Sequence, residues 1–258
     1  MDKNNEYRLR DMHVGLLKML SGFDTICKKN GIAYSLGFGS MLGAIRHHGI
    51  IPWDDDIDII IDRENYGRLA NAVESSTLFV LEKDNTRTLW IPRFRLRNAA
   101  DNVSGELMTI DMFLIDHVPD SPLLARVKQL MVLALQGMIK PHPDFKKGTA
   151  LQNAATFMTY MVGRLFPLST KFRLLEKVSC LGNKKSTKRC ACYNVEYIYV
   201  GRCYNDCLLK EFVEMDFDGM LIPISRDYDS YLTTLYGDYM TPPSMQGRQR
   251  KHITKQTI

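Results

Sequence analysis

No stretch of this sequence approaches the roughly 18 uninterrupted apolar residues that a membrane span needs. The opening, MDKNNEYRLRDMH, has none of the apolar core of a secretion signal, so a cytoplasmic protein without a cleaved leader is expected. Cysteine is sparse. Six in 258 residues are too few for a disulfide scaffold, and a reducing compartment would keep them as thiols. A net charge of +5 suits anionic substrates or an anionic membrane surface and falls short of the concentrated basic stripe of a dedicated nucleic-acid binder. There is no internal repeat and no low-complexity tract. With 45% hydrophobic and 24% charged residues, the chain can bury one large core or two small ones.

What is present is ordered by hydrophobic spacing. Leu9, Met12, Leu16, Met19, Leu20, Phe23 and Ile26 recur at three and four residues, which predicts an amphipathic helix over 6–29 ended by Gly31. IAYSLGFG predicts a short strand closing on glycine, and SMLGAIRHH a helix with Ser40 near its cap. IDIIID is rich in β-branched residues and predicts a strand, with helical spacing following in RENYGRLANAVES. Further strands are expected over 78–82, 88–97 and 105–116. An αβαβ opening followed by closely spaced strands predicts an α+β mixed sheet with helices packed on it.

From Pro119 the character changes. SPLLARVKQLMVLALQGMIK, LQNAATFMTYMVGRLF and STKFRLLEKVSCLG predict three helices; NKKSTKR is a basic loop, YNVEYIYVG a strand, and SRDYDSYLTTLYGDYM a late helix before TPP. The expected organisation is a core over 1–118, a helical insertion or cap over 119–190, and a strand and helix region over 191–258 that packs back on the core.

The chemistry lies in FGSMLGAIRHHGIIPWDDDIDIII, residues 38–61, where Asp54, Asp55, Asp56 and Asp58 abut a run of isoleucines. In a strand, residues two apart project to one side about 7 Å apart, so Asp56 and Asp58 would reach one ion. Two close, desolvated carboxylates repel unless a cation neutralises them, and magnesium is commonly held by one or two carboxylates with substrate phosphates completing its shell. The alternative is a solvated acidic turn. Upstream, Gly39 and Ser40 lie where a strand gives way to a helix, whose backbone N–H groups would attract a phosphate. Downstream, Asp111 in LMTIDMFLID is a third acid in an apolar strand; the other reading pairs it with Arg95 or Arg97. The set suits metal-assisted phosphoryl or nucleotidyl transfer.

GSMLGAIRHHGIIPWDDDIDI resembles the signature of the LicD/fukutin family of phospho-alcohol transferases, and the likeness extends to FRLRNAADN, TIDMFLID and FDGMLIPISRDYDSYLTTLYGDYMTPP. The resemblance implies a nucleotidyltransferase fold of the polymerase-β type. It implies that Gly39 and Ser40 contact phosphates and that Asp56, Asp58 and Asp111 hold magnesium, or manganese, with Asp54 as an outer member. It also implies transfer of phosphocholine, or a related phospho-alcohol, from a CDP-activated donor to a sugar hydroxyl of a glycan, lipid-linked glycan or teichoic acid precursor. Two other readings stay open: nucleotidyl transfer to a small alcohol or sugar, and a non-catalytic adaptor of glycan assembly.

Around this centre, Arg46 with Arg95 or Arg97 would clamp diphosphate oxygens, or Arg46 would order the acids by ion pairing. His47 is a substrate contact or a bystander. Trp53 reads first as a packing wedge, and Tyr228, Tyr231, Tyr236 and Tyr239 read first as core rings, with a cation–π pocket for a choline ammonium as their alternative. Cys190, Cys192, Cys203 and Cys207 are C-x-C-x10-C-x3-C, outside the usual spacing of structural zinc, and read as buried thiols. The central helices, with Lys128, Lys140, Lys146, Lys147, Arg164, Lys171 and Arg173, leave two readings: a cap with solvated lysines, or a face lying on an anionic membrane.

Overall fold

The computed structural model describes residues 3–83, 91–98, 108–142, 149–183 and 187–242. It is α+β, and the chain forms two compact units: residues 1–82, 92–114 and 207–258 make the first, and residues 83–91 and 115–206 the second.

In the first unit, the opening helix α1 (Lys3–Asn30) ends at Gly31, whose φ of +58° is the left-handed conformation that glycine adopts without strain. Its three- and four-residue spacing is realised as a buried stripe: Met12, Leu16, Met19, Leu20 and Phe23 are at most 2% exposed. Each such side chain contributes about 1.5–3 kcal/mol of hydrophobic stabilisation. Phe23 meets Tyr34 and Phe94 edge-on, and Phe94 stacks on Phe79. The sheet of this unit runs β1 (Ser35–Leu36), β2 (Ile57–Asp62), β5 (Ile110–Val118), β4 (Pro92–Leu96), β3 (Phe79–Lys83) in spatial order. β1 is antiparallel to β2, and β4 to β5 with Arg93 opposite Asp111.

Helix α2 (Phe38–His47) follows β1, and α3 (Arg63–Glu74) follows β2 with the Asp62 carboxylate accepting from Asn65 N at its cap. Ser40 is the third helical position of α2, in its first turn as expected, and Gly37 is the cap residue. The Phe38 N–H donates to the buried Tyr231 hydroxyl, 193 residues away, across 3.2 Å. A hairpin, β8 (Phe212–Phe217) and β9 (Met220–Ser225), precedes the late helix α7 (Tyr228–Tyr236). Sequence spacing had not marked it, although Asp218-Gly219, both at positive φ, is a strong hairpin turn signal.

In the second unit the three expected helices are present as α4 (Pro122–Ile139), α5 (Ala150–Gly163) and α6 (Leu168–Ser179). The expected strand at YNVEYIYVG is corrected. The strand is β6 (Arg189–Cys192), paired with the second half of β5 and with β7 (Tyr204–Asn205), and 197–200 is turn. Tyr193, Val195 and Val200 are aromatic and β-branched because they are buried, and the Tyr193 and Val195 carbonyls accept from the Gln136 amide rather than from a neighbouring strand.

Candidate active site

β2 begins at Ile57 and delivers Asp58 beside the first turn of α2. There the Gly39 N–H donates to Asp58 Oδ2 at 3.0 Å, and the Asp58 N–H donates to Ser40 Oγ at 2.8 Å. The Gly37 N–H donates in turn to the Asp58 carbonyl at 2.9 Å. The glycine-serine turn and the acid are therefore one hydrogen-bonded unit. Glycine at 39 leaves room for the acids: a β-carbon there would lie 2.7 Å from Asp54 Oδ2 and 3.4 Å from Asp58 Oδ2.

The segment before β2 is not extended, and this changes which acids converge. Asp54, Asp55 and Asp56 each place an oxygen within 4.8 Å of the others. Strand alternation would have turned Asp55 away, so sequence reasoning left it out; the turn brings it in, and it is 7% exposed. Backbone bonds fix the turn: Asp54 N donates to Ile51 O at 2.8 Å, and His13 Nε2 of α1 lies 2.8 Å from Asp54 O. His13 was likewise unmarked in the sequence, because it acts on a main-chain atom 41 positions away.

Burial pushes the Asp58 carboxyl well above the usual carboxylate range, and repulsion from Asp56, Asp54 and Asp111 adds to it against the Gly39 N–H. That ordering places Asp111 within electrostatic reach of the cluster. Asp111 Oδ1 accepts from Arg93 Nε at 3.1 Å and from Thr109 Oγ1 at 2.9 Å. The arginine on Asp111 is thus Arg93. Arg95 bonds Glu82 at 2.6 Å, and Arg97 donates to the Ser76 and Phe79 carbonyls. Arg93→Met would remove the paired positive charge from a 7%-exposed carboxylate and should cost about 2 kcal/mol, read as a lower urea midpoint in the metal-free protein.

Arg46 donates from Nε to His47 Nε2 and from Nη1 to the Tyr239 carbonyl, both at 3.0 Å, and the His47 ring meets Trp53 edge-on. Of the four tyrosines read as core rings only Tyr231 is buried; Tyr228 and Tyr239 are half-buried, Tyr236 is exposed, and Tyr239 donates to Asp229. Cys190 and Cys192 are buried and Cys203 half-buried, all as free thiols; the Cys207 side chain lies outside the described residues.

The family model LicD/FKTN/FKRP, nucleotidyltransferase domain, matches residues 31–114, which include Gly39, Ser40, Asp54, Asp55, Asp56, Asp58 and Asp111. The chain is 26% identical to the lipopolysaccharide cholinephosphotransferase LicD of Haemophilus influenzae over a 277-position alignment that covers 97% of this chain and 98% of that one. An uncharacterized protein of Rickettsia typhi is 40% identical over 60 residues, 23% of this chain and 19% of its own, and one of Rickettsia prowazekii is 42% identical over 52 residues, 20% of each. The chain is thus similar over residues 31–114 to the LicD/FKTN/FKRP nucleotidyltransferase domain, and along nearly its whole length to a LicD cholinephosphotransferase.

Proposed function

We propose that this chain transfers phosphocholine, or a related phospho-alcohol, from a CDP-activated donor to a sugar hydroxyl of a cell-surface glycan, lipid-linked glycan or teichoic acid precursor. The carrying observation is Asp58 hydrogen-bonded into the Gly39–Ser40 turn beside the Asp54, Asp55 and Asp56 cluster, inside the family-matched segment of a chain aligned end to end with a cholinephosphotransferase.

The donor set fits magnesium, with manganese as a substitute. Every donor is a hard carboxylate oxygen, and a site that drives its own Asp58 toward the neutral acid is one that a divalent cation would relieve. Asp56 and Asp58 would hold the cation, with Asp111 beside them. Bound there, it would neutralise the donor diphosphate and the leaving CMP. The residues themselves do the rest. Gly39 and Ser40 hold Asp58 in place, Arg93 and Thr109 fix one oxygen of Asp111, and Asp111 takes the proton of the acceptor hydroxyl. The acceptor oxygen then bonds to the phosphorus carrying the alcohol while the bond from that phosphorus to CMP breaks. Arg46, His47, Arg95 and Arg97 are proposed as outer contacts of the diphosphate, and a cytoplasmic setting agrees with the free thiols.

The test is product analysis with CDP-choline and a glycan acceptor. CMP release that stops in chelator and resumes with magnesium is expected. Pyrophosphate release from CTP would move the assignment to nucleotidyl transfer, and inactivity with CDP-choline, CDP-ethanolamine, CDP-ribitol and CDP-glycerol alike would overturn it.

A further inference from the structure

The second unit presents apolar side chains outward on helices that are otherwise firmly built. α4 is long and apolar enough to cross a membrane, and only one side of it, with Lys128, Val132, Leu135, Gln136 and Ile139, is buried against the protein. The Lys128 ammonium donates to the His117 and Leu181 carbonyls, both at 2.8 Å, and lies 4.3 Å from the centre of the Tyr193 ring. The Lys171 ammonium of α6 donates to the Met138 carbonyl of α4 and the Gly163 carbonyl of α5, at 3.0 and 3.1 Å. Two basic residues that sequence reading offered to solvent are in fact internal pins, Lys128 to β5 and the turn after α6, Lys171 between helices.

The opposite sides are bare. On α4, Leu123, Leu124, Val127, Leu130 and Met131 recur at helical spacing and are 41–72% exposed. α5 has no charged residue, and among its described positions only Gly163 is buried; Leu151 and Met158, with Leu165 just beyond its end, continue one stripe at 81, 63 and 78% exposure. Contiguous exposed apolar surface of this kind marks an interaction site.

Charge decides the partner. Residues 122–181 hold nine Lys and Arg against two acids, Asp144 and Glu176, while the rest of the chain holds 25 against 27. The whole positive excess therefore lies in the helical segment. Arg126, Arg164, Arg173 and Lys177 are exposed on or beside these helices, and no acid on α4, α5 or α6 is. A second copy of the chain would set these positive charges against their own kind. An anionic bilayer accepts both features, since leucine and methionine enter the acyl boundary while arginine and lysine reach the headgroups.

We propose that α4 and α5 dock this protein on an anionic lipid surface, lying in the interface rather than spanning it. In flotation with vesicles of phosphatidylcholine containing about one quarter phosphatidylglycerol, the full chain should rise with the lipid, and should stay behind with phosphatidylcholine alone. Met158→Glu with Leu165→Glu should reduce the bound fraction at least about tenfold. Arg164→Gln with Arg173→Gln should reduce it about fivefold per arginine, with melting temperature and circular dichroism unchanged in both variants. A wild-type chain that stays behind with anionic vesicles overturns the proposal, as does a glutamate variant that floats like wild type. So does a wild-type dimer that the glutamate variant converts to monomer, since the stripe is then a protein interface.

Discussion

Asp58→Asn should lower kcat/KM for CMP release at least about 10³-fold while making the metal-free protein more stable at neutral pH. The two effects have one cause. The folded chain holds the Asp58 proton more tightly than the unfolded chain does, because burial and the neighbouring Asp56, Asp54 and Asp111 oppose the charge. Between the ordinary carboxylate value of about 4 and the raised native value, the native state binds more protons than the unfolded state. Stability in chelator should therefore fall as pH rises through that window. The asparagine variant removes this slope. Melting temperatures in chelator from about pH 5 to about pH 8 measure it, and magnesium should restore wild-type stability most at the alkaline end. A variant that kept its activity, or a wild type whose stability rose over that range, would separate the acids from the proposed chemistry.

Gly39→Ala is expected to lower turnover about 10²-fold with the fold nearly unchanged. The new methyl would come within 2.7 Å of Asp54 Oδ2, an atom at the end of a short side chain that can swing away at small cost. Stability should then shift by no more than about 1 kcal/mol. The displaced carboxylate, however, leaves the acid cluster, and a misplacement of about 1 Å is enough to degrade catalysis. A steady-state assay beside a thermal melt distinguishes this from general unfolding, and an alanine variant at wild-type rate would show that Asp54 plays no part in the reaction.

These expectations rest on features that were unequally visible in the sequence. The α1 stripe, the three central helices and the isoleucine strand were legible, because each repeats a single burial period over many residues. The acid cluster was legible in part. Asp58 and Asp111 fall on strands as expected, whereas Asp56 precedes β2 and lies with Asp54 and Asp55 in a segment that strand alternation does not describe. Arg93 and Arg95 share one parity on β4 and Arg97 follows just past its end, so only the register that sets Arg93 opposite Asp111 selects among them. His13 and Tyr231 were invisible for a simpler reason: each serves a backbone atom distant in the chain, and no local pattern encodes that.

The hairpin turn at Asp218 has a bearing on how the enzyme is made. Asp218 N donates to the His48 carbonyl and Asp218 Oδ2 accepts from Ile50 N, both at 2.8 Å, so the loop leading from α2 to the acids is clasped by residues some 170 positions later. Gly49 lies under that carboxylate with no room for a side chain. Tyr231 and Ser225 tie the α2 cap and β1 across comparable spans. During synthesis, the acidic loop therefore emerges from the ribosome long before its clasp, and for that interval a nascent chain carries its unneutralised aspartates without the framework that holds them. Folding of the first unit is thereby governed by slow, long-range closure, and the active site should be among the last parts of the molecule to set.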